Sequence, residues 1–295
     1  MTLRRYLQLD VFADRPGAGN PLGVVLNADG LDTAAMQAFA AWTNLSETIF
    51  LLPPVEGADY RVRIFTPRQE LAFAGHPSVG AAWAAIDAGL ASPRDGALIQ
   101  DCAAGLLPVR VAGSGARALV SVRAPRAQRI EIASLGEPEA IEAALAVVSA
   151  PLPLGARAPT LWDNGARWWV LELTDAAAVR ALQPDLPAIA TLTRACAAVG
   201  LAVYAPAEAP DHQLAVRAFC PADNIPEDPV TGSVNAAIGA QLAADGGFPG
   251  GATRYVASQG RELGRDGRVE VALDEQGEIW IGGRVQAVIR GRADW

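Results

Sequence analysis

Val62-Arg63-Ile64-Phe65-Thr66-Pro67 returns as Val216-Arg217-Ala218-Phe219-Cys220-Pro221, an offset of 154 residues. Past each copy a second match follows, Ser78-Val79-Gly80-Ala81-Ala82 against Ser233-Val234-Asn235-Ala236-Ala237, at an offset of 155. The chain is therefore an internal duplication with one residue inserted between the two matches. A two-fold repeat of this length builds two similar lobes rather than a solenoid, whose units of about 20–50 residues cannot bury a core alone.

Working outward from the repeat, Arg61 to Phe65 alternates charged and apolar side chains, the pattern of a half-buried strand. A loop over Thr66 to Pro77 leads into a helix from Ser78 to Ala88, with Gly89 placed to end it. That helix is apolar on every side through Val79, Ala81, Ala82, Trp83, Ala84, Ala85 and Ile86, so it must be enclosed by protein. Its counterpart from Ser233 to Ala244 has the same character. These features predict α+β architecture: two pseudo-symmetric lobes, each a curved, mostly antiparallel sheet or barrel around a central helix. Leu7 to Phe12 and Val24 to Leu26 read as strands around the Arg15 to Pro21 loop. Asp32 caps a helix running to Thr43, and Thr48 to Leu52 is a strand stopped by Pro53-Pro54. The segment from Arg123 to Glu137 is the expected lobe boundary, giving lobes 1–125 and 126–295, with the C-terminal strand free to cross back to the first.

Composition narrows the function. At 295 residues and 51% hydrophobic content the chain can bury two ordinary cores. A net charge of -8 opposes a nucleic-acid partner, which selects for clustered Lys and Arg. Nothing reaches the roughly 18 apolar residues of a membrane span, and the Met1 to Asp10 segment lacks the apolar core of a secretion signal. A cytoplasmic protein is expected. Cys102, Cys196 and Cys220 show no C-x-x-C spacing, and with His76 and His212 as the two histidines a metal site has few ligands to draw on. No G-x-S-x-G, Walker or G-x-G-x-x-G motif is present, so no cofactor and no metal are expected.

Both repeats deliver a strand, a proline-containing loop and a helix N-terminus. Such ends attract anions, and a small carboxylate suits them; equally, the loops can do no more than start their helices. Polar residues there are few. The first loop holds Gly75-His76-Pro77, the second Glu227-Asp228-Pro229-Val230-Thr231-Gly232-Ser233, and Glu47 precedes the apolar strand Ile49 to Leu52. A solvated strand-entry glutamate, a structural histidine and an Asx turn at Asp228 account for each singly. Together, Glu47, His76 and Asp228 make an acid-base set suited to moving a proton on a bound organic acid.

At these residues the sequence resembles the PhzF family of phenazine-biosynthesis isomerases, within the diaminopimelate epimerase-like fold. The carriers, spread over nearly the whole chain, are Asp10-Val11-Phe12 with Gly19-Asn20-Pro21-Leu22, Ser46-Glu47-Thr48, and Phe73-Ala74-Gly75-His76-Pro77. Glu227-Asp228-Pro229-Val230-Thr231-Gly232-Ser233 and Gln259-Gly260-Arg261-Glu262-Leu263-Gly264-Arg265 follow. The resemblance implies Glu47 as general acid/base, assisted by His76 and Asp228, with Asn20, Gly75, Gly232 and Ser233 binding substrate. It also implies a homodimer. Racemases of this fold use one cysteine from each lobe, but neither loop here carries one, and Cys220 lies upstream in the position of Thr66. The expected activity is a cofactor-independent isomerisation of a small unsaturated or cyclic carboxylic acid by proton transfer. The alternatives are a non-catalytic carboxylate-binding protein, an epimerase or racemase of the same fold, and a two-lobed scaffold acting through partner contacts. Substrate choice is expected to lie in loops such as Thr160 to Trp169.

Overall fold

A computed structural model of the chain describes residues 3–115 and 118–295. Met1 and Thr2, which open the segment read for a secretion signal, lie outside the described residues, as do Ala116 and Arg117. Two compact units emerge, one of residues 1–123 and 281–295 and one of residues 124–280.

In the first unit, β1 (Leu3–Val11) and β2 (Asn20–Val25) lead to helix α1 (Thr33–Thr43). Strands β3 (Glu47–Leu52), β4 (Tyr60–Phe65) and the short β5 (Glu70–Leu71) follow, then helix α2 (Gly75–Asp87). β6 (Ala97–Cys102), β7 (Gly105–Ala112) and β8 (Leu119–Arg123) end this stretch. The second unit opens with β9 (Gln128–Ile130), α3 (Pro138–Ser149), β10 (Thr160–Asp163) and β11 (Arg167–Glu172). Two helices, α4 (Ala176–Ala181) and α5 (Leu186–Ala195), precede β12 (Gly200–Pro206), β13 (Leu214–Cys220) and β14 (Ile225–Asp228). Helix α6 (Gly232–Ala244), β15 (Arg254–Gln259) and β16 (Gly267–Leu273) complete it, and β17 (Ile279–Gly283) runs over the boundary at residue 281. β18 (Val285–Asp294) returns to the first unit and pairs antiparallel with β1.

The architecture is α+β, as the sequence predicts. Most pairings are antiparallel, and the parallel ones fall where a helix carries the chain across. β2 runs parallel to β3 after α1, and β4 to β6 after α2. In the second unit β11 runs parallel to β12 after α4 and α5, and β13 to β15 after α6. Parallel neighbours need such crossovers, because a tight hairpin reverses direction.

Helix α2 explains its own composition. Residues 75–85 are all buried, and the helix packs against β1, β2, β3, β4, β6, β8 and β18. A polar face would have no water to meet. Helix α6 is enclosed in the same way, with β11 and β16 against it. On the far side of β3, α1 lays Met36, Phe39 and Ala40 onto Val25, Phe50 and Phe65. Asp32 caps α1 as predicted, its Oδ1 accepting the Ala35 N–H at 2.8 Å.

Two boundaries differ from the sequence reading. The central helices start at Gly75 and Gly232, earlier than Ser78 and Ser233, so His76 sits in the first turn of a helix rather than in a loop. Pro77 does not block that start, because a first-turn residue has no intrahelical acceptor to lose. Helices α3, α4 and α5 carry no repeat signal and went unread. They cover Trp169, Leu171, Val203 and Phe219, giving the second unit a larger helical layer than the single helix α1 gives the first. All three cysteines are buried free thiols. No described helix is long and apolar enough to cross a membrane.

Candidate active site

Glu47 opens β3, opposite Leu22 in the parallel register with β2. It is delivered there by Asn44, whose left-handed conformation (φ 54°, ψ 30°) terminates α1. A hydroxyl pair, Thr43 Oγ1 to Thr48 Oγ1 at 3.1 Å, ties the helix end to the strand. Asn20, fully buried at the start of β2, accepts a hydrogen bond from Ser46 Oγ at 3.4 Å. Gly19 beside it has no alternative, since a Cβ there would lie 2.1 Å from the Val11 carbonyl oxygen. The Gly19 N–H donates to Asp10 Oδ2 at 3.1 Å, which fixes the β1–β2 turn.

Helix α2 begins at Gly75 with no side-chain cap, so its first N–H groups are left for other partners. His76 is the second helical residue, and its Nε2 stands 3.4 Å from Glu47 Oε2. That is longer than a charge-assisted hydrogen bond of about 2.7–2.9 Å. Glu47 Oε2 is sealed from solvent, although the side chain as a whole keeps 17% exposure. Burial raises the Glu47 carboxyl pKa from 4.5 to about 7, against a smaller lowering by the Ser46 hydroxyl. The structure thus brings Glu47 and His76 into contact, with Asn20 on the neighbouring strand β2, bonded to Ser46, and Gly75 opening the helix that carries His76.

The second unit holds Asp228, Gly232 and Ser233. Asp228 ends β14, and its Oδ2 accepts the Thr231 hydroxyl at 2.5 Å. Behind this turn lies Gln259, which is fully buried. Its Nε2 donates to the Asp228 carbonyl at 3.1 Å and to Thr231 Oγ1 at 2.9 Å. Its Oε1 accepts the Thr231 N–H and the Asn235 amide, each at 3.0 Å. One amide side chain therefore fixes the whole entry to α6. Gly260 is required next to it: at φ +94°, a Cβ there would meet the Pro229 carbonyl oxygen at 2.4 Å. Gly232 and Ser233 are the first two residues of α6, again without a side-chain cap. Ser233 Oγ accepts the Trp168 indole N–H at 3.0 Å, and its carbonyl accepts Asn164 Nδ2 at 2.8 Å.

Sequence reasoning assigned no role to Thr231 or Gln259, and reached Asn164 and Trp168 only as members of the Thr160 to Trp169 segment. Gln259 lies in a quoted motif and Asp163-Asn164-Gly165 is a turn signature, but neither pattern says what the side chain would reach.

A largely buried carboxyl group with a pKa near neutrality, an imidazole beside it and an uncapped helix start are the equipment of an acid-base enzyme. The family model described as phenazine biosynthesis-like protein, PhzC-PhzF, matches residues 9–292, and the chain belongs to this family. Trans-2,3-dihydro-3-hydroxyanthranilate isomerase of Pseudomonas aeruginosa is 32% identical over 99% of each chain. Antisense-enhancing sequence 1 of Schizosaccharomyces pombe is also 32% identical over 99% of each chain. Among solved structures, a predicted epimerase from Pseudomonas aeruginosa superposes with a TM-score of 0.76 at 30% identity, covering 98% of this chain and 99% of that one. The protein is an isomerase of this family.

Proposed function

We propose that the protein isomerises a small unsaturated or cyclic carboxylic acid by proton transfer through Glu47, without a cofactor. The observation that carries this reading is the largely buried Glu47 carboxyl group, its Oε2 sealed against His76 at the start of α2. As carboxylate, Glu47 takes a proton from one carbon of the bound acid; as carboxylic acid, it returns one to another carbon. The double bond moves and no electron is gained or lost overall. A pKa of about 7 leaves both forms populated near neutral pH, which a shuttle needs. His76 and Asp228 orient and polarise the substrate. Asn20, Gly75, Gly232 and Ser233 bind it, with uncapped helix N–H groups as donors for its carboxylate. General acid-base catalysis supplies about 10²–10⁴ in rate, and positioning must supply the remainder. A cytoplasmic homodimer is part of the proposal, supported by the family resemblance.

The named substrate of the Pseudomonas aeruginosa relative, trans-2,3-dihydro-3-hydroxyanthranilate, is the first compound to test. Turnover in D₂O should place deuterium on the carbon that receives the proton. Glu47→Gln should nearly abolish turnover while leaving binding largely intact, because the amide keeps the shape but exchanges no proton at neutral pH. Full activity in a folded Glu47→Gln protein rules the mechanism out. Carboxylate binding without turnover selects the binding-protein alternative.

A further inference from the structure

The segment from Thr160 to Trp169, where the sequence places substrate choice, is the β10–β11 hairpin of the second unit. Its turn is rigid. Asp163 Oδ1 accepts the Gly165 N–H at 2.9 Å, and Asp163 Oδ2 accepts Arg167 Nε at the same distance. Asn164 is thereby held at the tip, and two side chains of this one hairpin, Asn164 and Trp168, touch the second residue of α6.

The Asn164 amide is used on one side only. Its Nδ2 donates to the Ser233 carbonyl, which settles which end of the amide is which. Its Oδ1 is buried without a hydrogen-bond partner among the described residues, in a residue only 5% exposed. An amide carbonyl in that state is destabilising until something donates to it. It stands against a 13-residue helix whose N-terminal N–H groups have no side-chain cap. Donors for a carboxylate and an acceptor for a hydrogen-bond donor therefore border the same few residues.

We propose that Asn164 is a specificity-determining residue. Its Oδ1 accepts a hydrogen bond from an amino or hydroxyl group carried by a carboxylate bound at the start of α6. Trp168 holds Ser233 in register for that contact. This assignment rests on the carboxylate reading of the site given above, and it adds the second group that the ligand must carry. A ligand with a methyl group in place of the donor leaves Oδ1 unpaired, as it already is in the free protein, so the hairpin discriminates through the hydrogen bond that a donor-bearing ligand adds.

Calorimetric titration of the full chain with 2-aminobenzoate and 3-hydroxybenzoate, against 2-methylbenzoate and 3-methylbenzoate, tests this. The wild type should prefer at least one donor-bearing acid over its methyl analogue by about fivefold or more. Asn164→Leu should bring that ratio to within about twofold while holding the methyl analogues within about threefold of their wild-type affinity. A residue that only tethers the hairpin would weaken both series together. Equal wild-type binding of both series, no binding of any of the four, or a preference that survives Asn164→Leu overturns the proposal. If the leucine variant does not fold, Asn164→Asp replaces it. That variant keeps an oxygen acceptor but loses the donor to Ser233, so it should keep the preference as overall carboxylate affinity falls; losing the preference overturns the proposal. The readout is binding, so the two readings fail separately. Donor preference without deuterium incorporation removes the isomerase mechanism and leaves Asn164 in place, whereas incorporation without the preference does the reverse.

Discussion

Arg217 and Glu227 form a two-pronged ion pair, Nε to Oε1 at 2.9 Å and Nη2 to Oε2 at 2.8 Å, with the guanidinium 5.0 Å from the Phe219 ring centroid. Arg63 and Glu70 repeat it in the first unit at 2.7 Å for both prongs, over Phe65 at 5.1 Å. Each clamp joins the duplicated strand to the segment that leads into the central helix. The two differ in solvent: the Arg217 and Glu227 side chains are 6% and 9% exposed, those of Arg63 and Glu70 21% and 30%.

Unequal burial gives unequal consequences. Arg217→Met should lower stability by about 3–5 kcal/mol, because Glu227 is left charged and enclosed. Arg63→Met should lower it by about 1 kcal/mol or less. Adding Glu227→Leu to Arg217→Met should recover most of the loss. Urea unfolding midpoints of the four proteins check the ordering; equal losses at the two arginines would contradict it.

Glu47 links stability to pH in a defined direction. With its folded pKa raised from 4.5 to about 7, the native state keeps a proton that the unfolded chain releases above about pH 4.5. Its contribution is therefore fully present below pH 4.5 and is lost as pH rises to about 7. Glu47→Gln cannot lose it, so the variant should gain on the wild type across that window, by about 3 kcal/mol at most, and then hold a constant lead. Thermal melts at pH 4.5, 6 and 8 measure the difference. A matching inflection near pH 7 is expected in kcat/KM, which reports the free enzyme.

Gly260→Ala should lower stability by about 2–4 kcal/mol, since the backbone conformation disfavours any Cβ and the Pro229 carbonyl occupies its place. Turnover should fall with it, because Pro229 adjoins Asp228. Gly264→Ala, at φ +70° with open space around it, should lower stability by only about 1 kcal/mol and leave turnover unchanged. Comparing the two separates crowding from backbone preference.

What the sequence revealed follows from what repeats and what is periodic. Duplicated strands and all-apolar helices exposed the α+β class, because a helix with no polar face has only one environment open to it. The contact between Glu47 and His76 depended on the family resemblance; 29 residues of separation carry no local signal for a meeting between a strand start and a helix start. Gln259 stayed unread for a related reason: its four hydrogen bonds reach residues 24 to 31 positions away. Helices α3–α5 were missed because their sequences do not match that of α1, which covers the corresponding strands of the first unit, so comparison of the halves could not reveal them.

The two clamps also differ in how they can evolve. Arg63 and Glu70 can be replaced one at a time with little penalty at each step, so this copy is open to drift. Arg217 and Glu227 can leave together for an apolar pair but not singly, because each single replacement strands a buried charge. A lineage carrying the sealed copy is held to it by the intermediate rather than by the end point. Of two segments that began identical, only the second has become a historical lock.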